Sequence, residues 1–453
     1  MEEKQQPMNA KFRIASLLAA SAIIVGACSG SAATTAPATA GATAAPTTAG
    51  ATTAPAESAA ATTAPTAVAC STDPVKLAMW TKEGDPSLAY VKDLAARYTT
   101  AHPNVTFEVT NKDVEVLRED FQTASLAGAA PEILWTVADH IGPFTAADLI
   151  TPLDDMVDGS SYFPLAATIA TADGKLWGAP ISFGNQLMLY WNKALAGDTA
   201  PADSDALVAK AKELTKAPNY GLVFNQTESF WLVPFLGGFG GKVFADDGKT
   251  PTLNTDAMTG ALKFMYDLKF TNKVTPSEAD YATADGLFKD GKAAMIINGD
   301  WAMADYVKAL GDKLGVGPIP QITGNQWPAP YVAGAFFMAS KAVGDDPNLK
   351  CVVSDFFKWA TAKDEQVNMV KTLQRLPGNA EAFKDPIVTG NALLAGAAAA
   401  AAKGVPQPTN LEMRCVFDSM TAGVRDMFTG KSSDVAAIAK TMQSSAETCI
   451  AAQ

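Results

Sequence analysis

Apolar and polar positions follow two rhythms along the chain. Short apolar runs bounded by turn residues predict strands buried on both faces at Val75–Trp80, Val105–Val109, Glu132–Trp135, Trp177–Pro180, Leu187–Trp191, Gly221–Phe224, Ala293–Ile297, Leu314–Ile319 and Tyr331–Ala339. Apolar residues at helical spacing predict helices at Leu88–Tyr98, Leu117–Leu126, Asp256–Phe270, Leu349–Ala360, Asp364–Leu373, Met413–Phe428 and Ser433–Ile450. Asp203–Leu214 adds a helix capped by Asp203 or Ser204, and Ala392–Lys403 one with Gly404 as its C-cap. The first three strands alternate with helices, which implies parallel pairing through right-handed crossovers.

One stretch concentrates these signals. Residues 284–303 read ADGLFKDGKAAMIINGDWAM. A helix closes at Leu287 and Phe288, Asp290-Gly291 turns the chain, the strand follows, and Asn298-Gly299-Asp300 breaks it. Trp301 then stands just past the strand's C-terminal end, where open α/β sheets collect ligands. A Trp there is either a platform for a ligand or a plug for the next helix.

Composition narrows the possible chemistry. The chain has 453 residues, 48% of them hydrophobic, enough for a sizeable core. A net charge of -12 without basic clusters speaks against nucleic acid. Two histidines, His102 and His140, leave little for His-based catalysis or metal binding, and no metal or cofactor is expected. Signatures for serine hydrolases, zinc proteases and P-loop enzymes do not occur in the sequence.

The N-terminal region reads as an export signal. Lys4, Lys11 and Arg13 flank an apolar stretch, Ile14–Val25, that is short for a bilayer span; either Met1 or Met8 is the start. Val25-Gly26-Ala27-Cys28 resembles the lipobox of bacterial lipoproteins, which implies cleavage after residue 27 and lipid on Cys28. Residues 28–72 are rich in Ala, Thr and Pro, a composition that cannot bury enough apolar surface to fold, and they read as a lipid-anchored tether. The expected location is outside the cytoplasm, anchored to the outer face of the cell membrane or periplasmic.

Export permits disulfides among Cys70, Cys351, Cys415 and Cys449. Four cysteines allow three pairings. Cys415 and Cys449 lie nearly equidistant from the turn Thr429-Gly430-Lys431, so an antiparallel helix pair would join them and leave Cys70 for Cys351.

Taken in order, several segments resemble the maltose-type solute-binding proteins of bacterial ABC importers (extracellular solute-binding protein family 1). They are KLAMW near the start, PEILWTVADHIGPF at 131–144, DGKLWGAPISFGNQLMLYWNKAL at 173–195, FNQTESFWLVPFLGGFGGKVF at 224–244, LFKDGKAAMIINGDWAM at 287–303, AKGVPQPTNLEM at 402–413 and the helix pair around Gly430. The resemblance implies a two-lobed periplasmic-binding-protein fold of type II. Each α/β lobe would hold a mixed, mostly parallel sheet with flanking helices, and the ligand would sit in the cleft between them. The lobes would comprise 73–183 plus 335–378, and 184–334 plus 379–453. It implies a monomer that is not an enzyme, with a mono- or oligosaccharide ligand and ABC permease subunits driven by a cytoplasmic ATPase as partner.

By the same resemblance, Asp139 accepts from sugar hydroxyls and His140 is its basic neighbour. Glu228 is a second cleft carboxylate, Trp301 stacks on a pyranose, Phe230 and Phe417 occupy further stacking positions, and the loop carrying Glu83 reaches the ligand. Gly184 or Asn185 stands where maltodextrin binders have a Glu, and Thr136 where they have a Trp. Maltose or a maltodextrin is therefore only the leading ligand. The chemistry is apt, because an aromatic ring covers the C–H face of a sugar at low conformational cost, while carboxylates and amides grip its hydroxyls. Asn185, Gln186, Asn225 and Asn298 would supply the amides. The alternatives are a non-sugar solute such as a polyamine, an exported glycoside hydrolase using Asp139 and Glu228, and a tethered adhesin.

Overall fold

The apolar runs become strands, the fourth displaced toward its C-terminal side. In chain order these are β1 (Val75–Thr81), β2 (Val105–Asn111), β3 (Ile133–Val137), β4 (Ile150–Thr151), β5 (Thr171–Ala172), β6 (Lys175–Leu176) and β7 (Ala179–Gly184). There follow β8 (Leu187–Asn192), β9 (Tyr220–Val223), β10 (Ala293–Gly299), β11 (Leu314–Gly317), β12 (Tyr331–Ser340), β13 (Leu376–Pro377) and β14 (Val405–Pro406). The structure is a computed structural model, and it describes residues 70–85 and 87–453. These belong to one unit of the chain, Ala67–Gln453. The export signal, Cys28 and residues 29–69 of the tether lie outside the described residues.

Two sheets define the two lobes. The larger runs β13-β7-β12-β3-β1-β2, with β4 and β14 paired to β12; the smaller runs β11-β8-β10-β9. Parallel pairing holds for β1 with β2 and β3, for β9 with β10, and for β12 with β14. The remaining pairings in both sheets are antiparallel, so the sheets are mixed but less parallel than the strand–helix alternation suggests. The reason is topological. Parallel neighbours need a long crossover, usually helical, whereas only Asn185 and Gln186 separate β7 of one sheet from β8 of the other. β8 thus enters the smaller sheet running against β10.

Strand periodicity divides the core. In β8, Leu187, Leu189 and Trp191 join one buried cluster, which also takes in Met413, Val416, Met420 and Val424 of the helix Glu412–Phe428. Met188 and Tyr190 point to the opposite face and join the cluster that fills the larger sheet. Every residue of β8 and β10 is buried, as a strand covered on both faces requires. The helix Ala392–Ala401 ends at Ala402, so Gly404 lies beyond the cap and not at it. Disulfides join Cys70 to Cys351 and Cys415 to Cys449, each with a Cα–Cα distance of 5.5 Å.

The crossing at β7–β8 is tightly made. Gly184 has φ +133° and Asn185 φ +55°. A Cβ on residue 184 would overlap the side chains of Asp300 and Gln186, so both the backbone conformation and the space call for glycine. The Asn185 N–H donates to Asp300 Oδ2 at 3.1 Å, which pins the crossing to the end of β10.

Candidate ligand-binding site

Beyond the end of β10, the chain turns through Asp300–Ala302 and half-buries Trp301. Its ring lies over Gly299, where any Cβ would overlap it. The indole Nε1 donates to the Tyr281 hydroxyl at 2.9 Å, which fixes the ring in its own lobe. Phe230 lies 6.1 Å from Trp301, 6.5 Å from Phe417 and 6.4 Å from Tyr331, centroid to centroid. Tyr331 closes the group at 6.1 Å from Phe417. The expected aromatic helix after Glu228 is a short 3-10 turn, Ser229–Trp231, followed by Val233–Gly238. It leaves Phe230 half-buried in the group and sends the adjacent Trp231 into the core, where its Nε1 donates to the Ile297 carbonyl.

Charged groups stand beside these rings. Asp139, half-buried after β3, has its carboxyl pushed up to about 6 by burial first and by Glu115 second, against the pull of Arg414 and Arg118. Glu228 is exposed, and its Oε1 accepts from Asn225 Nδ2 at 2.8 Å. Partial desolvation raises its carboxyl while the Asn225 bond opposes the rise. Arg414 reaches Glu115 at 2.7 Å, and Glu115 also meets Arg118 at 3.3 Å. Helix Val114–Leu126, which carries Glu115, packs Leu117 and Phe121 into the larger sheet's core, while Arg414 rides on a helix packed into the other. The Glu115–Arg414 pair therefore bridges the two lobes.

Two expectations fail. His140 is fully buried; its Nδ1 shares a hydrogen with Thr136 Oγ1 at 2.8 Å, and burial pushes it down to about 3, so it is neutral and not a basic cleft residue. Glu83 is buried and fully engaged, accepting from Arg375 at 2.8 and 2.9 Å, from Lys82 at 2.9 Å and from Trp135 Nε1 at 3.2 Å. Burial alone would raise its carboxyl, but Arg375 and then Lys82 hold it far below the usual range. Three of these bonds fall on Oε1 and one on Oε2, and burial beneath Arg375, Lys82 and Trp135 withdraws the carboxylate from a ligand. Of the expected amides, Asn298 is buried and spends its Nδ2 on Tyr306, and Gln186 spends its Nε2 on the Ala397 carbonyl.

A family model described as bacterial extracellular solute-binding protein matches residues 93–396. The chain belongs to the bacterial extracellular solute-binding proteins. Such a protein captures a solute outside the cytoplasm; it is not an enzyme. The chain is similar to the maltotriose-binding protein of Pyrococcus abyssi (strain GE5 / Orsay), at 25% identity over 379 residues, which are 81% of each chain. The maltose/maltodextrin-binding domain of Bdellovibrio bacteriovorus, solved with maltotriose, superposes with a TM-score of 0.79 at 32% identity, covering 83% of this chain and 100% of that one. The GacH receptor of Streptomyces glaucescens, solved unliganded and with acarbose, gives 0.75 at 25% identity over 82% of this chain and 97% of that one.

In this solute-binding protein the structure brings Trp301, Phe230 and Phe417 together, and sets Asp139 within electrostatic reach of Arg414, on the helix that carries Phe417, and of Tyr331 behind the rings. Asn185 stands at the crossing, engaged through its backbone. Sequence reasoning did not single out Tyr331, Glu115, Arg414 or Arg375 for the site. Tyr331 reads as an ordinary strand residue. The two arginines have partners 299 and 292 positions away, beyond any periodic signal.

Proposed function

We propose that the protein captures a malto-oligosaccharide or related sugar by closure of its two lobes and delivers it to an ABC permease driven by a cytoplasmic ATPase. The observation that carries this reading is the group of half-buried rings Trp301, Phe230 and Phe417, backed by the buried Tyr331, with carboxylates beside it. Rings of this kind cover the C–H faces of successive sugars, and Asp139 and Glu228 accept from hydroxyls. The relatives that bind maltotriose, maltodextrin or acarbose support the same solute class. The lobes divide at about the boundaries stated above, 73–183 plus 335–378 and 184–334 plus 379–453. Lipid on Cys28 holds the protein at the outer face of the membrane, and it works there as a monomer.

Closure follows from differential affinity, since a ligand that touches both lobes favours the state in which they meet. Calorimetry of the purified protein against maltose, maltotriose, trehalose, sucrose, cellobiose and xylobiose tests the reading. A malto-oligosaccharide is expected to bind with a Kd near or below about 1 μM, roughly -8 kcal/mol. Trp301→Ala is expected to lose most of that affinity while still unfolding cooperatively. Heat with spermidine and with none of the sugars would sink the proposal.

A further inference from the structure

Arg375 lies between the helix Lys363–Leu373 and β13, in the larger-sheet lobe, and is 3% exposed. Its guanidinium grips Glu83 as a fork, Nη1 to Oε1 at 2.8 Å and Nη2 to Oε2 at 2.9 Å. Nη2 also donates to Ser87 Oγ at 3.3 Å and to the carbonyl oxygen of Trp301 at 3.3 Å. Glu83 and Ser87 belong to the segment after β1, whereas Trp301 follows β10 of the smaller sheet. The guanidinium thus joins the first-strand loop of one lobe to the main chain of the aromatic platform in the other. Asp300, whose carboxylate holds the Asn185 N–H at the crossing, is a further electrostatic neighbour of Arg375.

We infer that Arg375 is a positioning residue for the Trp301 platform, setting the ring for the ligand through the Trp301 carbonyl when the two lobes meet. This rests on the proposed role of Trp301. In its own lobe the ring is held by Tyr281 and Gly299, which limit its tilt but leave its height above the cleft to the backbone at 300–302. That backbone is what Arg375 reaches. A planar fork can serve Glu83 and a third acceptor in one geometry. A lysine can replace the charge but not the fork. Closing the lobes would therefore make the Trp301 bond and opening them would break it, while the Glu83 pair, internal to one lobe, persists in both states.

The test is a double-mutant cycle on sugar affinity with the whole protein. Trp301→Ala alone should abolish most binding; if it binds as wild type, the platform reading itself falls. Arg375→Lys keeps a cation beside Glu83 but gives up one bond of the fork, so it should fold with a lowered Tm and bind about tenfold or more weakly, the worth of a lost charge-assisted hydrogen bond. Placed in the Trp301→Ala background, Arg375→Lys should change affinity by less than about twofold, as expected if it acts through that ring. Removing only one member of a buried pair is costly. If Arg375→Lys fails to fold, the neutral pair Glu83→Gln with Arg375→Met serves instead, with the same expected loss of affinity. Wild-type affinity in the folded variant, or an equal loss in both Trp301 backgrounds, overturns the inference.

Discussion

At Asp139 two demands conflict. The half-buried carboxyl, raised to about 6, must ionise to accept from hydroxyls in the proposed role. An unfolded Asp titrates near 3.9, so the folded pKa is the higher one. This group therefore weakens the fold as pH rises from about 4 through 6, and the loss is relieved on acidification. Ligand binding should move the other way: affinity is expected to rise several-fold between about pH 5 and pH 7, and Asp139→Asn should flatten the profile. Calorimetry across that range checks it, and an unchanged slope in the variant would remove Asp139 from the ligand. His140, pushed down to about 3, stays neutral in the folded protein across that window and leaves binding untouched. Because its unfolded form titrates near 6.5, it makes the fold more stable as pH rises from about 4 to about 6.5, against Asp139. Residue type announced both groups as candidates; only the packing around them separates a carboxylate with a free edge from an imidazole sealed beneath Thr136 and Phe144. Glu83 teaches the same lesson, since its consumption by Arg375 depends on a residue far along the chain.

Between elements, the Glu115–Arg414 pair joins a helix of one lobe to a helix of the other. Its side chains are 46% and 29% exposed, so solvent screens it and its worth is at most about 1 kcal/mol. Arg414→Gln is expected to weaken sugar binding by roughly two- to fivefold in low salt and to have no effect near 1 M salt, where the Debye length shrinks to about 3 Å. Titrations at two ionic strengths measure this, and a salt-independent loss would assign Arg414 a direct ligand contact instead. The elements themselves were largely legible. β10 shows as Ala293–Ile297 because an uninterrupted apolar run of that length between turns has few other uses. The last two helices show through their 3.6-residue period and the Gly430 turn, where φ is +76°. Parallel pairing of the first three strands was legible from their alternation with helices, since β1 pairs in parallel with β2 and β3. The antiparallel pairings of the later strands were not, because direction is decided by where a strand enters its sheet. The two residues between β7 and β8 carry no such mark.

For the whole molecule, the proposed function combines a body that closes with a lipid anchor at Cys28. If Cys28 is the lipid site, Cys28→Ser should move the protein from the membrane fraction to the soluble one, with sugar affinity unchanged; equal partitioning of both forms would dismiss the anchor. In the proposed function closure involves only the chain after residue 70, so anchoring and affinity should separate cleanly in that experiment. The bond between Cys70 and Cys351 bears on how they separate. Cys70 lies just ahead of β1, an interior strand of the larger sheet, and Cys351 lies in the helix Pro347–Ala360. With the proposed anchor at Cys28, a pull along the chain would meet that covalent junction before it meets Val75. The load passes into a helix whose Val352, Val353, Phe356 and Phe357 are anchored in the core, and the hydrogen-bonded ladder of β1 is left out of the line of force.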